Sequence, residues 1–241
     1  PMKYTTLAFT AFVMVLVSVS EAQTPNKGDF AATFSMVAYD TDSKMWGVVV
    51  ASKYLAVGGV VPWAKAGVGA VATQSLVNIS WGPEGLDLLA KGNEPTKVIE
   101  VLKGGDQGFT FRQFGLVDSK GNVASFTGKD CMPWAGEKLG KNYACQGNLL
   151  TGPVVLEEMA KGFENSKGNF PWRLLMALDA ADRAGGDKRG KQSAAILVVR
   201  EKGGPNSIGD RYLDLRVDDH PEPVAELIRI SSKTSRVIRG K

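Results

Sequence analysis

The sequence predicts an α+β sandwich in which layers of helices lie outside layers of sheet. Two observations support this prediction. Helical segments come in groups between sets of strands, whereas Rossmann and barrel folds alternate single helices with single strands. Residues 194–200 (AAILVVR) are almost entirely apolar, which is typical of a central strand covered on both faces. Because no break in composition divides the body of the chain, we predict a single domain there.

The first strands form a predicted hairpin. Segments 33–39 and 46–52 are rich in β-forming residues, and residues 40–44 (DTDSK) between them carry a turn signal. A glycine-rich strand follows at 67–73. Two helices then follow, with Asn93 as a candidate cap between them, and they are predicted over 83–90 and 95–103.

The rest of the chain returns to strands and then to helices. Residues 171–184 have apolar residues on one helical face, and Gly185 and Gly186 end that helix. Asp219 is the predicted cap of a last helix that ends near Ile230. The remaining elements are, in order, strands at 111–118, 122–126 and 143–147, helices at 153–164 and 171–184, strands at 194–200 and 211–217, and a helix opened by Pro221 and Pro223.

The first 22 residues resemble a secretory signal peptide. Lys3 precedes a short apolar run at 7–19, and small residues stand at Ser20 and Ala22 before a cleavage site at Gln23. The run is shorter than the roughly 20 apolar residues that a membrane-spanning helix needs. We therefore expect a secreted or periplasmic protein without a stable membrane span, although a short anchor or a buried helix remains an alternative. Residues 23–29 are polar and are read as the flexible part of a leader that extends to residue 32.

The charge distribution argues against nucleic-acid binding. The net charge is +4, and residues 231–241 carry four cations and no acid, so the rest of the chain is balanced. A nucleic-acid-binding domain would instead gather cations on one face of its fold. The chain thus divides into a signal peptide at 1–22, a leader at 23–32, a domain at 33–230 and a basic tail at 231–241.

A single histidine, His220, limits the available chemistry. A hydrolase can do without histidine if a hydroxyl at a chain terminus is the nucleophile and its own α-amine is the base, since that amine titrates near 7.7 to 8. Thr33 opens the first strand of the body, and a hairpin is expected to bring Lys53 back beside it. The plain alternative is that Thr33 is an ordinary β-branched strand residue.

Long segments of the chain are similar to one family, the domain of unknown function 1028, which is classed with the N-terminal-nucleophile (Ntn) hydrolases. These segments include TFSMVAYD at 33–40, GVVVASKYLAVGGVVPWAKAGVGAVATQ at 47–74, QFGLVDSKGNVASFTG at 113–128, QGNLLTGP at 146–153 and DLRVDDHPEPVAEL at 214–227. The resemblance implies a four-layer αββα sandwich of the Ntn-hydrolase type and hydrolysis of an amide bond. It implies no particular substrate and no cofactor.

The resemblance also suggests roles for particular residues. Thr33 matches the threonine that follows the initiator methionine in relatives without a leader, and Lys53 looks like the lysine of Ntn sites. Here ten residues separate the signal cleavage site from Thr33, so self-cleavage at Ala32–Thr33 would be needed. Polar residues at strand ends are candidate oxyanion donors: Gln74, Gln146 and Asn148. The candidates for holding an anionic substrate group are Arg189, Gln192 and Ser193, and His220 is a further candidate for substrate binding.

We therefore expect a secreted Ntn-type hydrolase that acts on a non-peptide or small amide bond. The alternative is a non-catalytic binding or assembly protein on the same scaffold, attached through its basic tail. A weaker idea is metal-assisted hydrolysis at Asp218, Asp219 and His220. We also expect a homo-oligomer, because sheet edges are usually covered.

Overall fold

The computed structural model describes Met2, residues 30–31 and residues 33–240. The predicted signal peptide, Met2 apart, and most of the predicted leader lie outside these residues. Within the described part of the chain, no helix is long and apolar enough to cross a lipid bilayer.

The described residues form eleven strands and five α-helices. In chain order the strands are β1 (Phe30–Ala31), β2 (Thr33–Asp40), β3 (Met45–Ser52), β4 (Pro62–Lys65), β5 (Gly69–Leu76), β6 (Arg112–Asp118), β7 (Val123–Thr127), β8 (Gly136–Gly140), β9 (Tyr143–Gly147), β10 (Ser193–Val199) and β11 (Arg211–Val217). The helices are α1 (Trp81–Ala90), α2 (Pro95–Gly104), α3 (Val154–Asn165), α4 (Phe170–Arg183) and α5 (Pro223–Ser231).

The strands build two antiparallel sheets. Sheet 1 has the order β1-β5-β6-β7, and β4 also pairs with β5. Sheet 2 has the order β11-β10-β3-β2-β9-β8. The predicted central strand, β10, lies between β11 and β3, and all its residues are buried. Two antiparallel sheets with five helices make an α+β sandwich, as predicted.

Three hydrophobic clusters hold these elements together. One joins sheet 1 to α1 and α2, for example through Phe114 and Leu86. A second joins sheet 2 to α3, α4 and α5, for example through Val49 and Leu174. The third lies between the two sheets. Helices therefore cover the outer face of each sheet, while the inner faces pack against each other.

The inner face of sheet 2 changes character along β2. Successive side chains of a strand point to opposite faces, and Val37 of β2 belongs to the cluster between the sheets. Thr33 and Ser35 share that face by alternation. The layer between the sheets is therefore apolar at the Val37 end and polar where β2 begins.

Two residues that were predicted to cap helices make other hydrogen bonds in the structure. Asn93 donates its Nδ2 to the carbonyl of Leu88 at 2.9 Å, and α2 begins after Glu94 without a side-chain cap. Asp219 accepts Gln192 Nε2, and α5 likewise begins without a side-chain cap. Both predictions were wrong because α2 and α5 begin later than these caps would require: the residues in the capping positions are Glu94 and Glu222, and Asn93 and Asp219 lie before them.

Three strands were not predicted. The very short β1 lies at the end of the predicted leader, and β4 contains a proline. The edge strand β8 (GEKLG) has exposed charged residues and lacks the alternation that marks a half-buried strand. Each of the three gets its strand conformation from the neighbour it pairs with.

An ion pair between Asp106 and Arg112 ties the loop after α2 to the start of β6. Arg112 Nε lies 2.9 Å from Asp106 Oδ2, and both side chains are largely buried. Burial opposes the charged form, but bonds from Arg112, Asn78 and the Gly108 N–H outweigh it and lower the pKa of Asp106. The ionised carboxylate therefore stabilises the folded chain.

We expect Asp106→Asn to lower the free energy of unfolding at pH 7 by about 2 kcal/mol, since it weakens bonds to a charged group. A depressed carboxyl pKa contributes stability above its unfolded value, near 3.9, and this contribution is lost as the pH falls through the folded value. The difference between variant and parent should thus shrink below about pH 4. Urea unfolding at several pH values measures it. Glu100→Gln is the control, because Glu100 pairs with Lys97 on the surface, and an equal loss there would contradict the prediction.

Candidate functional site

Thr33 begins β2 at the polar end of the layer between the sheets. Its side chain is buried, and its Oγ1 lies 3.2 Å from Ser52 Oγ on the neighbouring strand β3. The two residues are direct partners in the strand register. The Thr33 carbonyl points the other way, toward β9, and accepts the Asn148 N–H at 3.0 Å. Thr33 is thus held from both sides.

Four buried carboxamides surround this position. We call them the carboxamide cluster, and their side chains are completely buried: Gln74, Gln113, Gln146 and Asn148. They come from the ends of three strands and from the residue after β9, so strand pairing brings them together. Burying so many polar groups is costly unless they are hydrogen-bonded.

Gln113 fixes the orientation of the cluster. Its Nε2 lies 2.8 Å from the Gly147 carbonyl and 3.2 Å from the Gly136 carbonyl. Carbonyl oxygens only accept hydrogen bonds, so the group that faces them has to be the NH2 group. Gln113 Oε1 must then accept, and it does so from Gln74 Nε2 at 2.9 Å and from Asn148 Nδ2 at 3.0 Å.

Ser35 links the orientation of Gln74 to that of Gln146. Gln74 Oε1 accepts the Ser35 hydroxyl at 2.6 Å, which uses the only hydrogen of that hydroxyl. Gln146 therefore donates its Nε2 to Ser35 Oγ, also at 2.6 Å. Every carboxamide in the cluster has one permitted orientation, and the last two acceptors, Gln146 Oε1 and Asn148 Oδ1, have no hydrogen-bond partner among the described atoms.

Gly115 makes room for the cluster. An added Cβ at this position in β6 would lie 2.1 Å from Gln146 Oε1. The carboxamide of Gln146 therefore rests directly on the backbone of sheet 1, which explains a glycine in the middle of a buried strand.

The three predicted oxyanion donors are already engaged, and Gln146 uses its NH2 group to donate to Ser35. The NH2 group of Gln74 contacts the carbonyls of Thr33 and Gln146, each at 3.3 Å, as well as Gln113. The NH2 group of Asn148 donates to Gln113 Oε1. In this arrangement Gln74 and Asn148 position the strand of Thr33, and each of the three would have to leave a partner to donate to an oxyanion.

Lys53 follows Ser52 and turns away from the layer between the sheets. Its side chain is exposed, and its Nζ donates to the Lys191 carbonyl at 3.3 Å. The register places Ser52, rather than Lys53, opposite Thr33. A role for Lys53 in tuning the nucleophile stays a prediction.

The loop after α4 packs beside this end of β3 through Asp187. Its carboxylate is buried and accepts the backbone N–H groups of Lys53 at 3.0 Å and Arg189 at 2.9 Å. The Arg189 guanidinium donates to both oxygens of the same carboxylate, through Nε and Nη2. The predicted anion-binding arginine is thus part of an internal pair that shapes the loop.

The other predicted substrate-binding residues lie along the same edge. Ser193 is the first residue of β10; its hydroxyl donates to the Tyr54 carbonyl and accepts the Val57 N–H. Gln192 donates its backbone N–H to Ser52 and its Nε2 to Asp219. His220 bonds the Gln192 carbonyl through its backbone and accepts the Glu222 N–H at Nδ1. These contacts make them neighbours of Ser52 rather than of the carboxamide cluster.

A cleft lies at the surface beyond Gln113. It has a volume of about 510 Å³ and is lined by Thr127, Cys131, Gly136 and Glu137, among others. Gln113 Nε2 contacts Thr127 Oγ1 at 3.0 Å, and the Thr127 hydroxyl donates in turn to Glu137. Thr127 and Gly136 therefore join Gln113 of the carboxamide cluster to the lining of this cleft.

Both cysteines are free and buried. Burial raises the pKa of Cys131, which lies beside the Ser75 hydroxyl at this cleft, and it also raises that of Cys145. Neither thiol is activated as a nucleophile.

The described part of the basic tail folds back on the body. The Arg236 guanidinium donates to the Gly203 carbonyl at 2.8 Å and stacks on the Tyr212 ring, and Arg239 stacks on Trp172. Asn169 binds the tail backbone at Arg236 and Ile238. These two arginines therefore serve internal packing.

Within the residues that the structure describes, no group of three or more His, Cys, Asp or Glu side chains is placed to hold a metal ion. Asp218, from the weaker metal hypothesis, instead receives a two-pronged contact from Arg216.

Sequence reasoning missed Gln113, Ser35, Ser52 and Asp187. The sequence did contain an indication for Gln113. It alternates with Gly115 and Val117 along a predicted strand, so the three side-chain positions share the inward face. A polar residue in an inward position is informative, but its partners are set by the pairing of two sheets.

Comparisons with known proteins agree on one family. The family described as "Family of unknown function (DUF1028)" matches residues 33–227. One similar solved structure is the crystal structure of protein SPO2555 from Silicibacter pomeroyi, which is ascribed to DUF1028. Its sequence is 33% identical to this chain and its TM-score is 0.76, and the match covers 83% of this chain and 85% of that one. Anbu, the ancestral β-subunit from Yersinia bercovieri, is 9% identical with a TM-score of 0.35 over 83% of this chain and 93% of that one, too weak a likeness to carry an argument. Nothing matches among curated proteins.

Proposed function

The chain belongs to the DUF1028 family, whose function is unknown, and from its site we propose that it is an Ntn-type hydrolase of a small amide bond with Thr33 as its nucleophile. The observation that carries this proposal is the concentration of buried, uniquely oriented polar groups around the first residue of β2. A purely structural core would fill this space with apolar side chains at lower cost. Rigid support of this kind is what a reacting group needs.

The fold offers further support. Helices outside two face-to-face sheets are what the αββα layering of Ntn hydrolases requires, and Thr33 stands where the first strand of sheet 2 enters the layer between the sheets. A fold alone does not establish an activity, so the proposal depends on the chemistry of Thr33.

We propose that the chain first cleaves itself before Thr33. The Thr33 hydroxyl oxygen attacks the carbonyl carbon of residue 32, the C–N bond of that peptide breaks, and the nitrogen takes up the hydroxyl proton to become a free amine. Water then hydrolyses the ester, which returns the hydroxyl and releases the leader as a carboxylate. Ser52, 3.2 Å from the Thr33 hydroxyl, is placed to accept its hydrogen bond and orient it.

Hydrolysis of a separate amide would repeat the same chemistry. The Thr33 hydroxyl attacks the acyl carbon, the freed α-amine takes the proton and passes it to the leaving amine, and water hydrolyses the acyl ester. Gln74 and Asn148 hold the Thr33 carbonyl in place throughout.

Intact-mass analysis of the full-length chain, expressed with its own first segment and purified after export, tests this proposal. We expect a mature chain that begins at Thr33. A sample that begins only at Gln23 would remove the free amine and overturn the mechanism. It would instead favour a non-catalytic binding or assembly protein.

We further propose that the chain is exported and that it assembles with copies of itself. The open edges of sheet 2, at β11 and β8, support assembly, and β8 exposes Leu139. Folding of Arg236 and Arg239 onto the body leaves the binding alternative with less support from the tail.

A further inference from the structure

The leader lies on sheet 1 immediately before the proposed nucleophile on sheet 2. Phe30 pairs with Leu76 and Ala31 with Ser75, both at the end of β5. We propose that this end of β5 is the acyl-side binding site of the enzyme, and that its substrates are amides whose acyl half is a short extended peptide. This inference rests on the proposed function and names its substrate class.

The leader covers the one stretch of this β5 edge that its own domain leaves open. Strand β4 pairs with residues 69–72 of β5, and the Val61 carbonyl accepts the Thr73 N–H at 3.2 Å. Beyond that point the partner of Ser75 and Leu76 on this side is β1. Release of the leader would leave this stretch of the β5 edge without its strand partner, and an open strand edge is a template for pairing with another extended chain.

This edge is held rigidly from behind. Arg112 Nη1 donates to the Leu76 carbonyl at 2.5 Å, and the same guanidinium is fixed by Asp106. On the other side of β5, Ser75 is paired with Arg112 of β6. The edge should therefore keep its shape after the leader has gone, which reduces the entropy lost when a peptide binds.

The position of the leader defines where an acyl group has to lie. One residue, Ala32 in the sequence, separates the strand on β5 from Thr33. In the first turnover the bond that breaks is the one between residue 32 and Thr33, with residues 30–31 on β5. A later substrate is attacked by the same hydroxyl and must bring its acyl carbon to the same place, so the two residues upstream of that carbon would lie along Ser75 and Leu76.

The leader also indicates the chemistry of the substrate. It ends in Phe30, Ala31 and Ala32, which carry no charge, and its last two side chains are small. We therefore expect a small uncharged residue at the acyl carbon and a free backbone N–H in the residue before it. The product of the first cleavage, a peptide that ends in Ala32, should compete for the same edge.

The test uses protein prepared from the full-length chain and three coumarin amides of 7-amino-4-methylcoumarin. The first carries N-acetyl-Phe-Ala-Ala, the second the same sequence with N-methylalanine at the position of Ala31, and the third only an N-acetyl group. We expect kcat/KM to fall about tenfold or more from the first to the second, equivalent to roughly 1.4 kcal/mol, and further for the third. The peptide TPNKGDFAA, residues 24–32, should inhibit competitively.

The outcomes separate this inference from the proposed function. If the leader is released and the three amides are hydrolysed at similar kcat/KM, the peptide site is wrong while the hydrolase stands. If the N-methylated amide matches its parent, backbone pairing with β5 is likewise excluded. If intact mass shows that the leader is never released, both proposals fail together.

Discussion

The full-length chain carrying Thr33→Ala is expected to keep its leader and to lose amide hydrolysis by about three orders of magnitude or more. The substitution removes the only hydroxyl that the mechanism allows to attack. The variant should still fold, because the contact with Ser52 that it deletes is worth about 1 kcal/mol. Intact mass and a fluorogenic amide assay on the same preparation measure both effects.

Two further variants sharpen that experiment. Thr33→Ser keeps a hydroxyl at the same atom and should restore leader release, whereas Thr41→Ala, in the exposed turn between β2 and β3, should behave like the parent. A Thr33→Ala protein that still releases its leader would show that another group, or another protease, cuts the chain. Circular dichroism confirms that each variant is folded.

Gln113→Leu is expected to destabilise the folded chain by about 3 kcal/mol, and it carries the largest effect on stability that we predict. The substitution removes the acceptor of Gln74 and Asn148 and the donor to the Gly147 carbonyl, all of them buried. Each buried polar group left without a partner costs about 1–3 kcal/mol. Leucine fills most of the vacated volume, so the loss reports on hydrogen bonding rather than on a cavity.

Urea unfolding gives this free energy directly, and the control is Gln107→Ala, an exposed residue after α2. We expect Gln107→Ala to change stability by less than about 0.5 kcal/mol. Because Gln113 orients Gln74, which holds the Thr33 carbonyl, Gln113→Leu should also slow leader release. A Gln113→Leu chain as stable as the parent would mean that the carboxamide cluster can rearrange, contrary to its single permitted orientation.

Much of the architecture could be predicted from the sequence. The apolar run that forms β10 and the one-sided apolar pattern of α4 are local signals, and burial in the structure agrees with both. The grouping of helices gave the class of fold. The strand β8 could not be predicted in the same way, because its pairing with β9 gives a polar segment its conformation.

The candidate site was only partly predictable. Thr33, Gln74 and Asn148 were found as polar residues at strand ends, and strand pairing does bring them together. The predicted approach of Lys53 to Thr33 depended on the hairpin register, and a shift of one residue moves a side chain to the opposite face. Gln113 was missed because its partners come from strands far apart in the chain.

The fixed orientation of the carboxamide cluster limits which substitutions this protein can accept. The carbonyls of Gly136 and Gly147 dictate the direction of Gln113, which dictates that of Gln74 and Asn148. A substitution at Gln113 leaves a mismatch that Gln74 cannot relieve by turning over, since Gln74 is also fixed by Ser35 and by the carbonyls of Thr33 and Gln146. Viable replacements of Gln113 and Gln74 would therefore have to arise together, and this pair should be inherited as one unit.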